Sequence, residues 1–548
     1  TIDATNLDND TVLTLDGDSD VIVNALVGDI DAKTGDLAGT LDVTTADNGV
    51  DDDISISTGS AATTVDGLGA SDTITIDADV LDDDTVLTLR SAAKMVVTNL
   101  IGDINAGGDQ TVAPVIAALS GTLDVTMASG GANSVIVGGS NSDTVTASDM
   151  GDTLRLTAIE SVYGGAGDDQ ITITDSDLES ITMGNGDDTL TFEDGSALTS
   201  TVVVNGGSNT ATGQDVVNVN VDTNLNFALG SVFTGIEKLN LVDDVEQDGL
   251  DATITLNANF DNGGALIVDA SSFDAGEVFT FNADAYVVSG AGTSADAISV
   301  IGGAGDDVIT TAAQDAARGW MTVDLSSGGV DTVTIANDTQ NGSKTVASFA
   351  SVATFTNNFA AVSGADNLGV TIEGFTAGNG GDRLHIEYGS AIADYNYDGN
   401  AGDETETITP VTNGYDPVAG SSGQIEKGVV LTTTNLGGVS SGDVIEISSA
   451  NYQLGGLGDW DITSVAGRLA NQGNGNGLVG LQDGYYTVAI YSDDSNVADA
   501  FLFNIRVDGG DGLDFSWGAN TGGDFDMIEY VGVIQDIGAD TLQAVNII

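Results

Sequence analysis

Apolar and polar residues alternate along most of the chain. In "DTITID" at 72–77, "DQITIT" at 169–174 and "DTLTF" at 188–192, Ile, Leu or Phe fills every second position and Thr, Asp or Gln takes the others. A period of two is the signature of a strand with one face in a core and one in water. The strands are short and are punctuated by Gly, Asp and Asn, residues that tolerate tight turns. Helical spacing is confined to "TAAQDAARGW" at 311–320 and "ITSVAGRLANQ" at 462–472, each with room for two or three turns. The pattern predicts an all-β protein.

The strands are themselves repeated. "LDNDTVLTLDG" at 7–17 returns as "LDDDTVLTLRS" at 81–91, "LVGDIDA" at 26–32 as "LIGDINA" at 100–106, and "GTLDVT" at 39–44 at 121–126. Residues 1–80 and 81–150 therefore read as two copies of one β-rich unit. Residues 151–345 keep the same grammar less regularly. Residues 346–425 hold further strands and an acidic, turn-rich stretch, and 426–548 read as a C-terminal β domain.

Within the repeats lies a nine-residue frame, Gly-Gly-x-Gly-x-Asp-x-apolar-x. Residues 164–172 (GGAGDDQIT) and 302–310 (GGAGDDVIT) fit it fully, giving Gly165, Gly167 and Asp169, and Gly303, Gly305 and Asp307. Residues 183–191 (MGNGDDTLT) lose only the first glycine and keep Gly184, Gly186 and Asp188. Looser copies end at Asp143 and Asp152, and weaker ones at Asp72, Asp215 and Asp331. The frame has a physical logic. Glycine lets a turn fold its carbonyls inward, and Asp adds an anionic oxygen. Calcium takes six to eight oxygens, more than one turn supplies. A second turn, one coil of two nonapeptides away, completes the set, so the frame predicts stacked turns in a parallel β-roll or β-solenoid. A second calcium-type spelling, "DYNYDGNAGDETE" at 394–406, sets Asp394, Asn396 and Asp398 at alternate positions before Gly399. Position twelve is Thr405, which leaves Asp403, Glu404 or Glu406 to close the loop.

Charge sharpens the picture. The chain carries 84 acidic against 11 basic residues, a formal net charge of -73, which excludes nucleic acid as a partner, disfavours an anionic membrane and favours divalent cations. Disorder does not follow, because 41% of residues are hydrophobic and are spread evenly. The absence of cysteine suits an extracellular bacterial protein held by metal instead of disulfides. No run approaches the length of a membrane-spanning helix. The chain opens at Thr1, without an initiator Met, which reads as processing or as part of a longer protein.

The nonapeptide frames resemble the calcium-binding β-rolls of the repeats-in-toxin (RTX) family. "LTAIESVYGG" at 156–165 and "FTGIEKLNL" at 233–241 resemble a strand found between repeats in RTX-bearing bacterial surface-layer proteins. "VTIEGFTAGNGGDRLHI" at 370–386 is similar to the strand pair that follows RTX blocks in type I secreted proteins. The endings "GYYTVAIYSDD…AFLFNIRVD" and "IEYVGVIQDIGADTLQAVNII" resemble that group's terminal hairpin and last segment, where an uncleaved C-terminus is the export signal. The resemblance implies a secreted, calcium-binding structural protein at the bacterial cell surface. Its partner would be itself, in a surface layer or an extracellular filament, with a cell-surface polysaccharide as a further partner. Two alternatives stay open: an RTX adhesin for another cell, ice or a glycan, and a polysaccharide-active enzyme on a solenoid. Catalysis is disfavoured. His385 is the sole histidine, so a two-histidine zinc protease is excluded, and the basic residues are scattered singly.

Overall fold

The computed structural model describes residues 1–335, apart from 9, 48–52, 83, 108–118, 130–132, 210–212, 244–248, 261–263, 287–297, 313–320, 326, 328 and 330. Beyond 335 it describes 345–350, 370–374, 383–387, 444–447, 484–491, 500–508 and 524–534. The acidic segment 394–406, the helix expected at 462–472 and, of the one expected at 311–320, residues 313–320 lie outside the described residues. Among the described residues the one helical element is a 3-10 turn, Gly195–Ala197. The chain divides into two compact units, Thr1–Val245 with Asn259–Leu266, and Glu246–Ala258 with Ile267–Ile548.

The first unit is a two-sheet parallel solenoid. As far as Val203–Ser208 each strand pairs in parallel with the strand two places along the chain, so alternate strands build opposite sheets; Leu225–Leu229 leaves this order for another sheet, and Val216–Asn220 pairs with Lys238–Val242 across it. One sheet stacks Asn133–Val137, Thr153–Thr157, Gln170–Ile173, Thr189–Phe192, Val216–Asn220 and Lys238–Val242. The other stacks Leu123–Met127, Thr144–Thr146, Ser161–Tyr163, Ser180–Asn185 and Val203–Ser208. Register keeps like over like: Ile171 sits on Leu190 and Leu190 on Val217. Because side chains alternate between faces, each coil contributes inward rows such as Leu154, Leu156, Ile171, Ile173, Leu190 and Phe192, all buried, while Thr and Asn face out. The sheets run through residue 150 without a break, since 133–137 pairs with 153–157 and 144–146 with 161–163.

The two sequence copies meet the solenoid in an unexpected phase. The strand Val21–Leu26 belongs to the first sheet, paired with Leu41–Thr45. Its counterpart Lys94–Leu100 belongs to the second sheet, paired with Leu123–Met127. Both carry the same bulge, between Val23 and Leu26 and between Val97 and Leu100. Both also carry the same left-handed residue, Ala25 (φ 54°) and Asn99 (φ 55°). From Val12–Thr14 to Thr73–Asp77 the first copy holds seven described strands. An odd count is a half-integral number of coils, so the second copy begins on the opposite face.

The second unit repeats the plan. One sheet stacks Ala252–Leu256, Phe279–Asn282, Val308–Thr310, Thr332–Thr334, Val370–Glu373 and Asp524–Ile534 in parallel. The other stacks Ile298–Ile301, Met321–Asp324, Thr345–Ala350 and Arg383–Glu387. The strands of 370–386 thus fall on different sheets. The expected terminal hairpin forms, with Gly484–Tyr491 antiparallel to Ala500–Asp508, which pairs in turn with Asp524–Ile534.

Candidate metal-binding edge

The stacked register places the aspartates of the frame. Asp152, Asp169, Asp188 and Asp215 each stand directly before a strand of the first sheet, where the chain turns in from the second. They form a ladder along one edge. The Asp152 N–H donates to Asp169 Oδ1 (2.8 Å), that of Asp169 to Asp188 Oδ1 (2.8 Å), and that of Asp188 to Asp215 Oδ1 (2.9 Å). The Asp215 N–H donates to Glu237 Oε2 (2.8 Å). The rungs are 17, 19, 27 and 22 residues apart. One coil is therefore of no fixed length: extra residues bulge out at corners while the strands hold register.

Every Asp in the ladder is at most 1% exposed. A buried carboxylate with a single amide donor is poorly compensated for its lost water. Burial pushes Asp169 up to about 7, with the Asp188, Asp152 and Asp168 charges adding to it and the Asp152 N–H opposing. Burial likewise takes Asp215 to about 7, opposed by the Asp188 N–H and reinforced by Asp188, Glu237 and Asp187. Asp188 is raised for the same reasons, burial first.

The second carboxylate oxygen separates six of the frames into two kinds. At Asp169, Asp188 and Asp215, Oδ2 is buried and has no hydrogen-bond partner. At Asp143, Asp152 and Asp307, Oδ2 accepts an N–H from the residue four earlier: Gly139 (2.6 Å), Ser148 (2.7 Å) and Gly303 (2.8 Å). Backbone conformation follows the same division. Gly165, Gly167, Gly184, Gly186 and Gly207 all have positive φ, whereas Gly139, Gly303 and Gly305 do not. In the first group the turns pack backbone on backbone: a Cβ on Gly184 would strike the Gly165 carbonyl, and one on Gly186 the Gly167 carbonyl.

The remaining predicted residues are placed as follows. Asp143 lies at the opposite corner, before a strand of the second sheet; its Oδ1 accepts the Leu123 N–H (2.8 Å) and its own N–H donates to Glu160 Oε2 (2.6 Å). Burial lifts it to about 6. In the second unit, Asp307 Oδ1 accepts the Phe279 N–H (3.0 Å), and the Asp307 N–H donates to Asp331 Oδ1 (2.9 Å). Burial raises Asp307 to about 6 and Asp331 to about 8. Asp394, Asn396, Asp398, Asp403 and Glu404 lie outside the described residues.

No protein-family model, curated protein or solved structure matches this chain. What the edge can do therefore rests on its own geometry.

Two residues, Glu237 on this edge and Glu160 at the opposite corner, escape a search for the frame. Glu160 and Glu237 occupy the rung position with a longer side chain, each after an isoleucine that is buried and a residue in left-handed conformation: Ala158 (φ 54°) and Gly235 (φ 67°). Their signal was the shared phrase Thr-(Ala/Gly)-Ile-Glu at 157–160 and 234–237.

The open turns suit a hard cation. They combine buried, partnerless carboxylate oxygens, carboxyl groups whose charge is opposed by burial, and backbone turned into the left-handed region. Among the described residues no three acidic or histidine side chains converge. A cation here would take two carboxylates from successive coils and most of its oxygens from turn carbonyls and water, a division that calcium accommodates.

Proposed function

We propose that the chain is an extracellular calcium-binding structural protein whose solenoid is tightened by the ion and which self-assembles on a bacterial surface. The observation that carries this reading is the file of buried carboxylates Asp169, Asp188 and Asp215, each with one oxygen lacking a partner. Such oxygens in a native interior call for an ion or water. Calcium between Asp169 and Asp188, and between Asp188 and Asp215, would supply the missing partner and offset the crowding of charge. The sequence resemblances to RTX, surface-layer and type I secreted proteins support secretion and the surface role. The net charge of -73 supports calcium as the switch, since it opposes association until divalent ions bridge carboxylates. Calcium would thus act twice, inside the coils and between chains. Light scattering of the full chain tests this reading. It rises with millimolar calcium and stays low with sodium at matched ionic strength. A chain that remains monomeric at high concentration with calcium refutes the assembly.

A further inference from the structure

The corner that follows Asp188 departs from the nonapeptide frame. Residues 206–215 insert extra positions, and the next coil offers Gly-Ile-Glu where a Gly-x-Asp turn would stand. Glu237 gathers two donors there. Glu237 Oε2 accepts both the Asp215 N–H (2.8 Å) and the Asn209 side-chain amide. The Asn209 carbonyl oxygen, Oδ1, is buried and has no partner, and so is Asp215 Oδ2. Asp215 itself is 0% exposed. Asp215 Oδ2 lies over Gly206, where a Cβ would come within 2.5 Å of it. The Gly235 carbonyl closes on the same glycine, so no larger residue fits beneath the carboxylate. The two orphaned oxygens, an amide and a carboxylate, thus belong to two residues that each donate an N–H to the same glutamate.

An apolar corner would have been cheaper for the fold, because each buried oxygen left without a donor is unfavourable. The donor types match a hard cation: one amide carbonyl and two carboxylates, as calcium takes from Asn, Asp and Glu. We propose that Asn209 Oδ1, Asp215 Oδ2 and the Glu237 carboxylate hold a divalent cation, calcium, at this corner, in a site that the glycine-rich frame does not spell. The amide oxygen and the glutamate take over the part that a second frame aspartate plays at Asp169 and Asp188. The inference rests on the calcium reading above, and it adds an ion whose loss can be separated from the loss of the others.

The test counts calcium ions per chain by native mass spectrometry, with affinities from calorimetry, on the full chain stripped by chelator. Calcium alone is the probe. Asn209→Leu and Glu237→Gln each bind one ion fewer than the wild type, and Asp169→Asn combined with Asn209→Leu loses more than either alone. Asn209→Asp keeps the wild-type count and binds its ion at least about tenfold more tightly, since a charged ligand replaces a neutral one. Asn209→Leu with the wild-type count and affinity overturns the site and leaves the calcium reading standing; water then satisfies the two oxygens. A wild type that binds no calcium overturns both. Where Asn209→Leu fails to fold by circular dichroism, Asn209→Asp decides: unchanged affinity overturns the site.

Discussion

The Asp169 amide donates to the carboxylate of Asp188, the same position one coil later, at 2.8 Å. A side chain that the sequence marks for a metal is thus also a rung that fixes coil spacing. The residue has two parts to play, and they can be told apart because one oxygen serves each.

The rung is open to substitution. In chelator at pH 5, where the Asp169 carboxyl is neutral, Asp169→Ala strands the Asp152 N–H in the interior and costs about 1–3 kcal/mol. Asp177→Ala, at an exposed position between corners, changes stability by about 0.5 kcal/mol or less. Denaturant midpoints compare the two; equal midpoints contradict a structural rung.

Close packing of the turns gives a second comparison. Gly184→Ala faces a backbone conformation that disfavours side chains (φ +117°) and a Cβ clash with the Gly165 carbonyl. Gly17→Ala faces only the first, with φ +97° and nothing within 4 Å. Left-handed strain alone costs about 1–2 kcal/mol, so Gly184→Ala is expected to lower the unfolding midpoint clearly more than Gly17→Ala. Equal effects would show that the stacked turns are loose.

Acid should stabilise the metal-free chain and shrink the stabilising increment that calcium adds. Asp143, Asp169, Asp215, Asp307 and Asp331 have folded values raised to about 6, 7, 7, 6 and 8 from the ordinary 3.8. A raised carboxyl binds protons more tightly when folded, so its contribution is full below about pH 4 and is lost as pH rises through 6 to 8. In chelator the thermal midpoint therefore climbs as pH falls from 8 to 5. Calcium needs the ionised form and releases protons on binding, so its stabilising increment shrinks over the same fall. Melting curves at four pH values with calcium and with chelator check this; parallel curves contradict it.

The period-two runs made the strands legible, and the frame spacing made the coil legible: Asp169 and Asp188 lie 19 residues apart because that is one turn of the solenoid. Other features were hidden for physical reasons. The switch of the second repeat to the opposite sheet depends on an odd number of strands, which similarity between "LVGDIDA" and "LIGDINA" does not reveal. The frames at 164–172 and 302–310 are spelled almost alike, yet Gly165 and Gly303 differ in φ. What separates them is the neighbouring coil. Gly165 stacks against Ser148 and the glycine-rich turn at Gly184, whereas Gly303 packs on Phe273 and Gly305 on the Glu277 carbonyl. Glu160 and Glu237 were missed because the rung was sought as an aspartate after glycines.

The proposed function depends above all on calcium at the edge formed by Asp169 and Asp188. Calorimetric titration of calcium into the chelator-stripped full chain, beside the Asp169→Asn/Asp188→Asn variant, tests it most directly. Saturable binding to the wild type and fewer ions on the variant are expected, with circular dichroism showing both chains folded in strands. No binding to the wild type, or the same number of ions on both chains, would contradict it.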